Sequence, residues 1–304
     1  MHRFTRNLRP IDTLIVFFLV CLSAAYAFTA ASPADWMAFF LLNTLIVAAV
    51  RATASMRSRP RVVQVAYDFY PVVMILVVFK EVHVFIQSIG RADLDYVFIA
   101  IDRALFGLDP TVWVTQFSTP ILTEVLQFSY VSYYALMLGL GFELYAKKES
   151  GRFPLAIFTI LYGFFLSYVG YILFPAVGPR FTLHDFNNLN AELPGLWFSE
   201  AMRDFINAGE SIPKGAQNAL ALAQRDAFPS GHTQMTLIVI YYATVFSTRS
   251  RYIIYLLGTL LIISTVYLRY HYVIDLAGGA ALMIVTVWTA PKLFAALERF
   301  NRRS

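Results

Sequence analysis

Eight apolar runs of membrane-spanning length restrict the fold of this chain more than any other feature. In a bilayer every backbone N–H and C=O group must be bonded within the protein, so only helices and closed barrels cross it. A crossing helix needs about 20 apolar residues, whereas a barrel strand needs about 10. The runs therefore predict an all-α, polytopic membrane helix bundle with about eight transmembrane helices. The predicted spans are residues 14–31, 36–50, 62–89, 121–146, 153–174, 228–246, 252–268 and 274–290.

Composition and charge distribution agree with a membrane protein. The chain is 58% hydrophobic and 14% charged, whereas soluble domains are about 25% charged. The net charge of +5 does not indicate a nucleic-acid partner, because sixteen of the 24 Lys and Arg residues lie in the two termini and in three of the connectors between spans. Basic residues favour the cytoplasmic side of a membrane. We therefore expect a multi-pass protein of a bacterial inner or plasma membrane, with both termini in the cytoplasm.

The first apolar run also has features of a secretory signal peptide. Arg3, Arg6 and Arg9 precede it, and small residues occur near its end at positions 24, 25 and 27. However, the run is long enough to cross a bilayer, and a second run follows at once. Retention as a transmembrane helix is the favoured interpretation, with cleavage as the alternative.

One histidine lies where a polar loop meets an apolar run, in the stretch Phe228-Pro229-Ser230-Gly231-His232-Thr233. Proline suits a first helical turn and serine is a good cap. The free N–H groups of such a turn, unhindered at Gly231, form an anion site that the helix dipole reinforces. His232 is expected beside the bound anion. An ordinary capped helix start with a histidine at the membrane interface remains an equal alternative.

A second histidine lies between two apolar runs, in the stretch Arg269-Tyr270-His271-Tyr272-Val273-Ile274-Asp275. His271 and Asp275 are spaced i, i+4, which places them on one face of a helix. A carboxylate bonded to one ring nitrogen leaves the other nitrogen free to act as a nucleophile. Arg269 and Arg180 add cations that suit phosphate. His271 and Asp275 are also explained by an ion pair at the start of a helix. Each arginine, taken singly, is also explained as an anchor at the membrane interface.

The segment Pro229-Ser230-Gly231-His232, followed by His271-(x)3-Asp275, resembles the second and third motifs of the type-2 phosphatidic acid phosphatase superfamily. That superfamily contains lipid phosphate phosphatases, polyprenyl pyrophosphate phosphatases and vanadium haloperoxidases. The resemblance implies a six-helix membrane core over residues 62–304, preceded by two additional helices in residues 1–61. It also implies an extracytoplasmic loop over residues 175–227, and the charge pattern puts all the motifs on that face.

Carried over to this sequence, the resemblance implies a mechanism that needs no metal and no cofactor. His271 forms a phosphohistidine, Asp275 orients it, and His232 acts as general acid and then as general base. The implied substrate is a phospholipid or a polyprenyl phosphate in the bilayer. The residues implied to bind the phosphoryl oxygens are Arg180, Arg269, Ser230 and Gly231.

Two departures from the superfamily pattern affect the substrate that is expected. The lysine of the first motif is replaced by Leu173, and the Ser-Arg pair of the third motif is replaced by Ser264-Thr265. The Gly-Pro-Arg and His-Tyr-x-x-Asp forms resemble inositol phosphorylceramide synthases, which implies phosphotransfer in sphingolipid metabolism. Hydrolysis of phosphatidic acid or a polyprenyl pyrophosphate is the alternative, and a transporter with a histidine relay is a more distant one.

Two amphipathic stretches are expected at the membrane surface. Residues 95–106 predict a short interfacial helix. In residues 197–206 the apolar side chains fall on one helical face and the charged ones on another, which predicts an interfacial helix that covers the site as a lid.

Overall fold

A computed structural model describes residues 7–56, 59–147 and 151–303. These residues contain α-helices, two short 3₁₀ helices and no β-strand, so the all-α prediction is confirmed. In chain order the helices are α1 (Pro10–Tyr26), α2 (Pro33–Ser55), α3 (Arg61–Ile89), α4 (Asp95–Phe106), α5 (Pro110–Trp113), α6 (Pro120–Val131), α7 (Tyr133–Ala146), α8 (Arg152–Leu173), α9 (Pro179–Thr182), α10 (Leu189–Glu192), α11 (Ser199–Gly209), α12 (Ala219–Leu222), α13 (Gly231–Val245), α14 (Arg251–Tyr267) and α15 (Val273–Arg303).

Each of the eight predicted spans is helical, and one of them, residues 121–146, consists of the two helices α6 and α7. Within the described ranges, α2, α3, α8 and α15 are long and apolar enough to cross a membrane, and the bent pair α6–α7 is a fifth candidate span. The remaining predicted spans form the shorter helices α1 and α14, of 17 residues each, and α13, of 15 residues. The several long apolar helices support a membrane protein.

Serine side chains explain the 47° bend between α6 and α7. The hydroxyl of Ser129 donates to the carbonyl of Val125 at 2.8 Å, and the hydroxyl of Ser132 donates to the carbonyl of Ser129 at 2.6 Å. Such bonds compete with the backbone ladder and bend helices. The bend lies one residue from Tyr133, which reaches the candidate active site.

Capping residues fix several helix ends. Ser32 and Thr119 accept the backbone N–H groups of Asp35 and Leu122, at the starts of α2 and α6. Gly107 ends α4 in the left-handed conformation, with φ of 72°, which a glycine adopts without steric cost. The expected helix over residues 95–106 is therefore present with the same bounds.

The chain divides into two compact units. The first comprises Met1–Arg91, Pro154–Tyr168 and Thr286–Ser304. In this unit the carboxylate of Asp12, at the start of α1, is fully buried and accepts hydrogen bonds from the hydroxyls of Tyr67 and Tyr70. Arg9 pairs with the same carboxylate at 3.0 Å and lies over the Tyr67 ring. This network joins α1 to α3, because a buried carboxylate is stable only when it is paired and bonded.

The second unit comprises Ala92–Phe153 and Val169–Val285 and contains every motif residue singled out in the sequence. Its helices α13 and α14 pack against each other, α14 packs against α6, and α11 also packs on α6. The division at residue 61 into two additional helices and a six-helix core stays a prediction.

Candidate active site

Three segments that are distant in sequence meet in the second unit. We call them the first, second and third motif segments, comprising residues 175–182, 226–233 and 269–275. The backbone N–H of Arg180 donates to the carbonyl of Arg269 at 2.9 Å, and the N–H of Ser230 donates to the carbonyl of Asp275 at 3.0 Å. The third motif segment is thus bonded through its backbone to both of the others.

Two glycines allow these backbones to approach. Gly178 has φ of 92°, and a Cβ atom there would lie 2.6 Å from the carbonyl oxygen of Tyr270. A Cβ atom on Gly279, in the helix α15, would lie 2.4 Å from the carbonyl oxygen of Ser230. Both distances are far below van der Waals contact, so any larger residue would push the segments apart.

The contacts of the His271 imidazole define its tautomer and leave one ring nitrogen unprotonated. Its Nδ1 lies 2.8 Å from the carbonyl oxygen of Ala227 and 3.4 Å from Oδ2 of Asp275. Since both partners accept hydrogen bonds, Nδ1 carries the proton and Nε2 of the neutral ring has a free lone pair. Nε2 lies 3.4 Å from Nδ1 of His232. Burial lowers the pKa of His271 to about 4, which keeps the ring neutral near pH 7.

The contact between His271 and Asp275 does not come from a shared helix. α15 begins at Val273, and the backbone N–H of His271 instead donates to the carbonyl of Thr265 at 3.0 Å. Oδ2 of Asp275 accepts the N–H of Tyr272 at 2.8 Å and completes a turn. The structure thus brings the two predicted residues together, but the nearer partner of His271 is the Ala227 carbonyl, which the sequence pattern did not indicate.

His232 is held by two tyrosine rings at the start of α13. The ring centroids of Tyr130 and Tyr133 lie 4.6 and 4.4 Å from its imidazole. The Tyr133 hydroxyl donates to the Gly231 carbonyl at 3.2 Å. The predicted cap is present, because Oγ of Ser230 accepts the third N–H of the turn at 3.2 Å. The first-turn N–H groups and His232 therefore share one end of the helix.

Arg180 is the motif arginine whose charge acts on both histidines. It is buried, with 4% of its surface exposed. Its guanidinium forms an ion pair with Glu210 and donates a hydrogen bond to Oδ1 of Asn207 at 3.2 Å. It also lies 4.6 Å from the centre of the Tyr270 ring. A buried arginine suits bidentate binding of a phosphoryl group.

Arg269 has different surroundings. It is buried, and its backbone has φ of 70°, an uncommon value for a residue with a side chain. Its guanidinium pairs with Glu192 and lies 3.5 Å from Oγ1 of Thr115. Among the described residues its Nε–H has no hydrogen-bond partner. The polar partners of the Arg269 guanidinium are thus Glu192 and Thr115, and its phosphate-binding role stays a prediction.

Two aspartates of α4 anchor the motif segments, and neither was among the predicted site residues. Asp95 accepts the N–H groups of Val177 and Gly178 at 3.0 and 2.8 Å, and the Tyr272 hydroxyl at 2.8 Å. One carboxylate thus ties the first motif segment to the third. Burial raises its pKa although these bonds favour the charged form.

The second of these aspartates is Asp102, seven residues further along α4. It accepts the N–H groups of Val273 and Ile274 at 2.8 and 2.9 Å, at the start of α15. An acidic group is favourable at a helix N-terminus, where N–H groups lack partners. Spacing i, i+7 puts Asp95 and Asp102 on one helical face, and this was the available sequence signal.

Asp226 is a third acidic residue that was not among the predicted site residues. It begins the second motif segment, and its charge acts on His271 and Arg180. Burial, reinforced by the nearby Glu210 carboxylate, raises the pKa of Asp226 to about 6. The site therefore contains a carboxyl group that changes charge close to physiological pH.

These groups can perform nucleophilic and acid–base chemistry on a phosphoryl group. An imidazole with a free nitrogen faces a second imidazole, and a buried guanidinium and a helix N-terminus supply binding groups for oxyanions. Across residues 7–56, 59–147 and 151–303 no group of three or more His, Cys, Asp or Glu side chains could hold a metal ion. Independence from metal stays a prediction.

Comparison with known families matches residues 97–289 to the PAP2 superfamily. The chain belongs to the PAP2 superfamily. This match contains all three motif segments. It supports the superfamily that the motifs resembled, while the branch of inositol phosphorylceramide synthases stays a prediction.

A curated relative, a "PA-phosphatase related-family protein" of Dictyostelium discoideum, is 27% identical over 180 residues. The aligned region covers 53% of this chain and 30% of that relative, so the chain spans less than a third of the relative's length. No solved structure matches the chain.

Proposed function

We propose that this PAP2 protein is a membrane enzyme that removes or transfers the phosphoryl group of a lipid phosphate through a phosphohistidine at His271. The observation that carries the proposal is the free Nε2 of His271, which faces His232 next to the buried Arg180. Membership of the superfamily and the name of the Dictyostelium relative support a phosphatase-type enzyme.

In the first step, the Nε2 lone pair of His271 attacks phosphorus and forms an N–P bond. The bond between phosphorus and the lipid oxygen breaks, and its electron pair stays on that oxygen. His232 takes up a proton when the anionic phosphoryl group binds beside it, and it donates that proton to the lipid oxygen as the oxygen leaves. The Nδ1–H group of His271 donates hydrogen bonds to the Ala227 carbonyl and to Asp275. These two acceptors stabilise the positive charge that develops on the His271 ring.

In the second step, a water or alcohol oxygen attacks phosphorus and the N–P bond breaks. Its electron pair returns to Nε2 of His271. His232, now neutral, takes the proton of the attacking oxygen and is restored to its starting state. Water yields free phosphate, whereas an alcohol yields a new phosphorylated lipid.

Arg180 and the first turn of α13 bind the phosphoryl oxygens in this scheme. The substrate displaces Glu210 from the Arg180 guanidinium, because a phosphoryl dianion is the stronger ligand for a buried arginine. The Gly231 N–H and the Ser230 hydroxyl complete the anion site. Arg269 also binds the phosphoryl oxygens once the substrate has displaced Glu192 from its guanidinium.

Two outcomes of the second step are supported by different observations. The name of the relative supports hydrolysis, as does membership of a phosphatase-type superfamily. The forms Gly178-Pro179-Arg180 and His271-Tyr272-x-x-Asp275 support transfer to an alcohol. The charge distribution supports an active site on the extracytoplasmic face.

The test is an assay of the purified protein with labelled lipids in detergent micelles. The lipids are phosphatidic acid, a polyprenyl pyrophosphate, and phosphatidylinositol with ceramide or diacylglycerol as acceptor. Free phosphate from the wild type establishes hydrolysis, and a new phosphorylated lipid establishes transfer. Turnover that survives His271→Ala contradicts the proposed nucleophile, and turnover that EDTA abolishes contradicts metal independence.

A further inference from the structure

An apolar groove of about 830 Å³ lies in the second unit between α6, α11 and α14. Small-molecule sites have volumes of about 300–1,000 Å³, so the groove is large enough for a ligand. Nearly all of its lining side chains are apolar. The lining includes Val125 and Phe128 of α6, Ala201 and Phe205 of α11, and Leu257 and Leu260 of α14.

The charged residue in this lining, Glu124, already has hydrogen-bond partners for its carboxylate. The Glu124 carboxylate accepts the N–H groups of Leu196 and Phe198 at 2.9 and 2.7 Å, and the Ser199 hydroxyl at 2.6 Å. It thereby caps the start of α11 from the neighbouring helix. No polar headgroup is needed to satisfy it, and the groove offers a ligand mainly hydrocarbon contacts.

The groove is continuous with an apolar surface on a candidate membrane span. Phe128 and Val125 belong to α6, and their exposed fractions are 61% and 45%. Phe205, on α11, is 69% exposed. Exposed apolar patches of this kind mark lipid or protein contacts. Because α6–α7 is a candidate membrane span, the chemistry available next to the groove is that of lipid chains.

Two of the helices that form the groove also reach the candidate active site. In α6, Ser129 lines the groove while the next residue, Tyr130, stacks on His232. In α11, Ala201 lines the groove while Asn207, further along the helix, contacts Arg180. Glu210, the residue that follows α11, forms the ion pair with Arg180.

We infer that this groove holds the hydrocarbon chain of the lipid phosphate, with α11 as the wall that connects the chain site to Arg180. The inference rests on the proposed function, since it takes the phosphoryl group to lie at Arg180 and His271. A chain that packs on α11 also acts on the residues at its C-terminal end that hold Arg180. Chain binding is thereby coupled to the exchange of Glu210 for phosphate.

The test compares two tryptophan variants of α11 on substrates with different chains. Ala201→Trp fills the groove, whereas Ala208→Trp places the same side chain at an exposed position outside the lining. The substrates are phosphatidic acids with oleoyl or butanoyl chains, in the same detergent. We expect Ala201→Trp to lower kcat/KM for the oleoyl substrate about tenfold or more, because burial of several methylene groups is lost.

For the butanoyl substrate, Ala201→Trp is expected to change kcat/KM less than about twofold, and Ala208→Trp is expected to act alike on both substrates. The inference is overturned if Ala201→Trp lowers kcat/KM equally for the two substrates, or lowers it for neither. An equal loss is also the result expected if the groove instead holds a second copy of this chain.

A binding experiment separates this inference from the proposed function. An alkyl phosphate with a terminal diazirine is cross-linked to the His271→Ala variant, and the labelled peptides are identified by mass spectrometry. Labels within residues 124–131, 197–205 or 257–260 support the groove even if the wild type shows no turnover. Labels confined to other segments overturn it, even if the wild type is an active phosphatase.

Discussion

The Nε2 atom of His271 lies 3.4 Å from the Nδ1 atom of His232. This contact joins the second and third motif segments at the point where the proposed chemistry occurs. In phosphoryl transfer the attacking and leaving atoms lie on opposite sides of phosphorus. The two nitrogens therefore move apart when substrate binds, and catalytic contacts of this kind commonly reach their final geometry only in the complex.

The first prediction concerns His232 as the general acid. His232→Ala is expected to lower kcat about 10²–10⁴-fold for a lipid phosphate, whose alkoxide needs a proton to leave. For an aryl phosphate such as p-nitrophenyl phosphate the loss in the first step is expected to be much smaller, because that leaving group departs without a proton. The measurement is single-turnover release of lipid alcohol and of nitrophenol. Equal losses on the two substrates would contradict the assignment.

The second prediction concerns pH. Burial lowers the pKa of His271 to about 4, so its attacking nitrogen stays free until the pH falls through about 4. The pKa of Asp226 is raised to about 6, so Asp226 gains negative charge as the pH rises through 6 and repels an anionic substrate. Asp226→Asn is therefore expected to lower KM roughly threefold or more above pH 6, and to change it little near pH 5.

The measurement for Asp226→Asn is KM as a function of pH, with the same lipid phosphate for wild type and variant, so that titration of the substrate cancels. Asp204→Asn is the matched control, because Asp204 pairs with the exposed Lys214. A KM ratio between wild type and Asp226→Asn that is constant across pH would contradict the prediction. The loss of activity below about pH 4 is expected in all three proteins.

The third prediction concerns the ion pair between Arg180 and Glu210. If phosphate must displace this carboxylate, Glu210→Gln weakens the competitor and the inhibition constant of orthophosphate falls about tenfold. Glu200→Gln is the control, because Glu200 lies in α11, the helix that Glu210 follows, and pairs with the exposed Lys214. An unchanged or larger inhibition constant for Glu210→Gln would show that Glu210 does not compete with phosphate.

The fourth prediction concerns Asp95 as a positioning residue. Asp95→Asn replaces an acceptor of two N–H groups and one hydroxyl by an amide, and is expected to destabilise the protein by about 1–3 kcal/mol. It is also expected to lower kcat at temperatures where the variant remains folded, since the segments that carry Arg180 and His271 shift. Unfolding in detergent and kcat are the measurements. Unchanged kcat in a destabilised variant would show a structural role alone.

The control for Asp95→Asn is Asp109→Asn. Asp109 pairs with an exposed arginine, Arg103, at 2.8 Å. Exposed ion pairs contribute about 0–1 kcal/mol. The same substitution at this position is therefore expected to leave both stability and kcat close to the wild-type values.

The sequence predicted the parts of the site that depend on local chemistry. Ser230 was expected to cap a helix, and its hydroxyl accepts an N–H of the first turn. The helix at residues 95–106 was expected from its amphipathic pattern, and α4 has those bounds. Both features follow from side chains that act within one or two turns of the backbone, which a single sequence records directly.

The contacts that the sequence did not predict are made across long separations. Asp95 was predicted only as the first residue of an amphipathic helix, and its side chain is buried against the first and third motif segments. The Ala227 carbonyl, which fixes the tautomer of His271, is a backbone group that every residue has. The pairing of Glu210 with Arg180 likewise depends on how a long loop folds back. Periodicity shows which face of a helix is polar, but it does not show what that face meets.

The most direct measurement is to trap the covalent intermediate. The purified protein is mixed with lipid phosphate labelled with ³²P, quenched in alkali, which preserves phosphohistidine, and digested for mapping. The proposal predicts an alkali-stable, acid-labile label on His271 in the wild type and no label in His271→Ala. In His232→Ala the label is expected to accumulate when the donor is ³²P-labelled p-nitrophenyl phosphate, because its first step needs no general acid while the second step is slowed. Turnover without any label on the protein, or a label that persists in His271→Ala, would contradict the phosphohistidine mechanism.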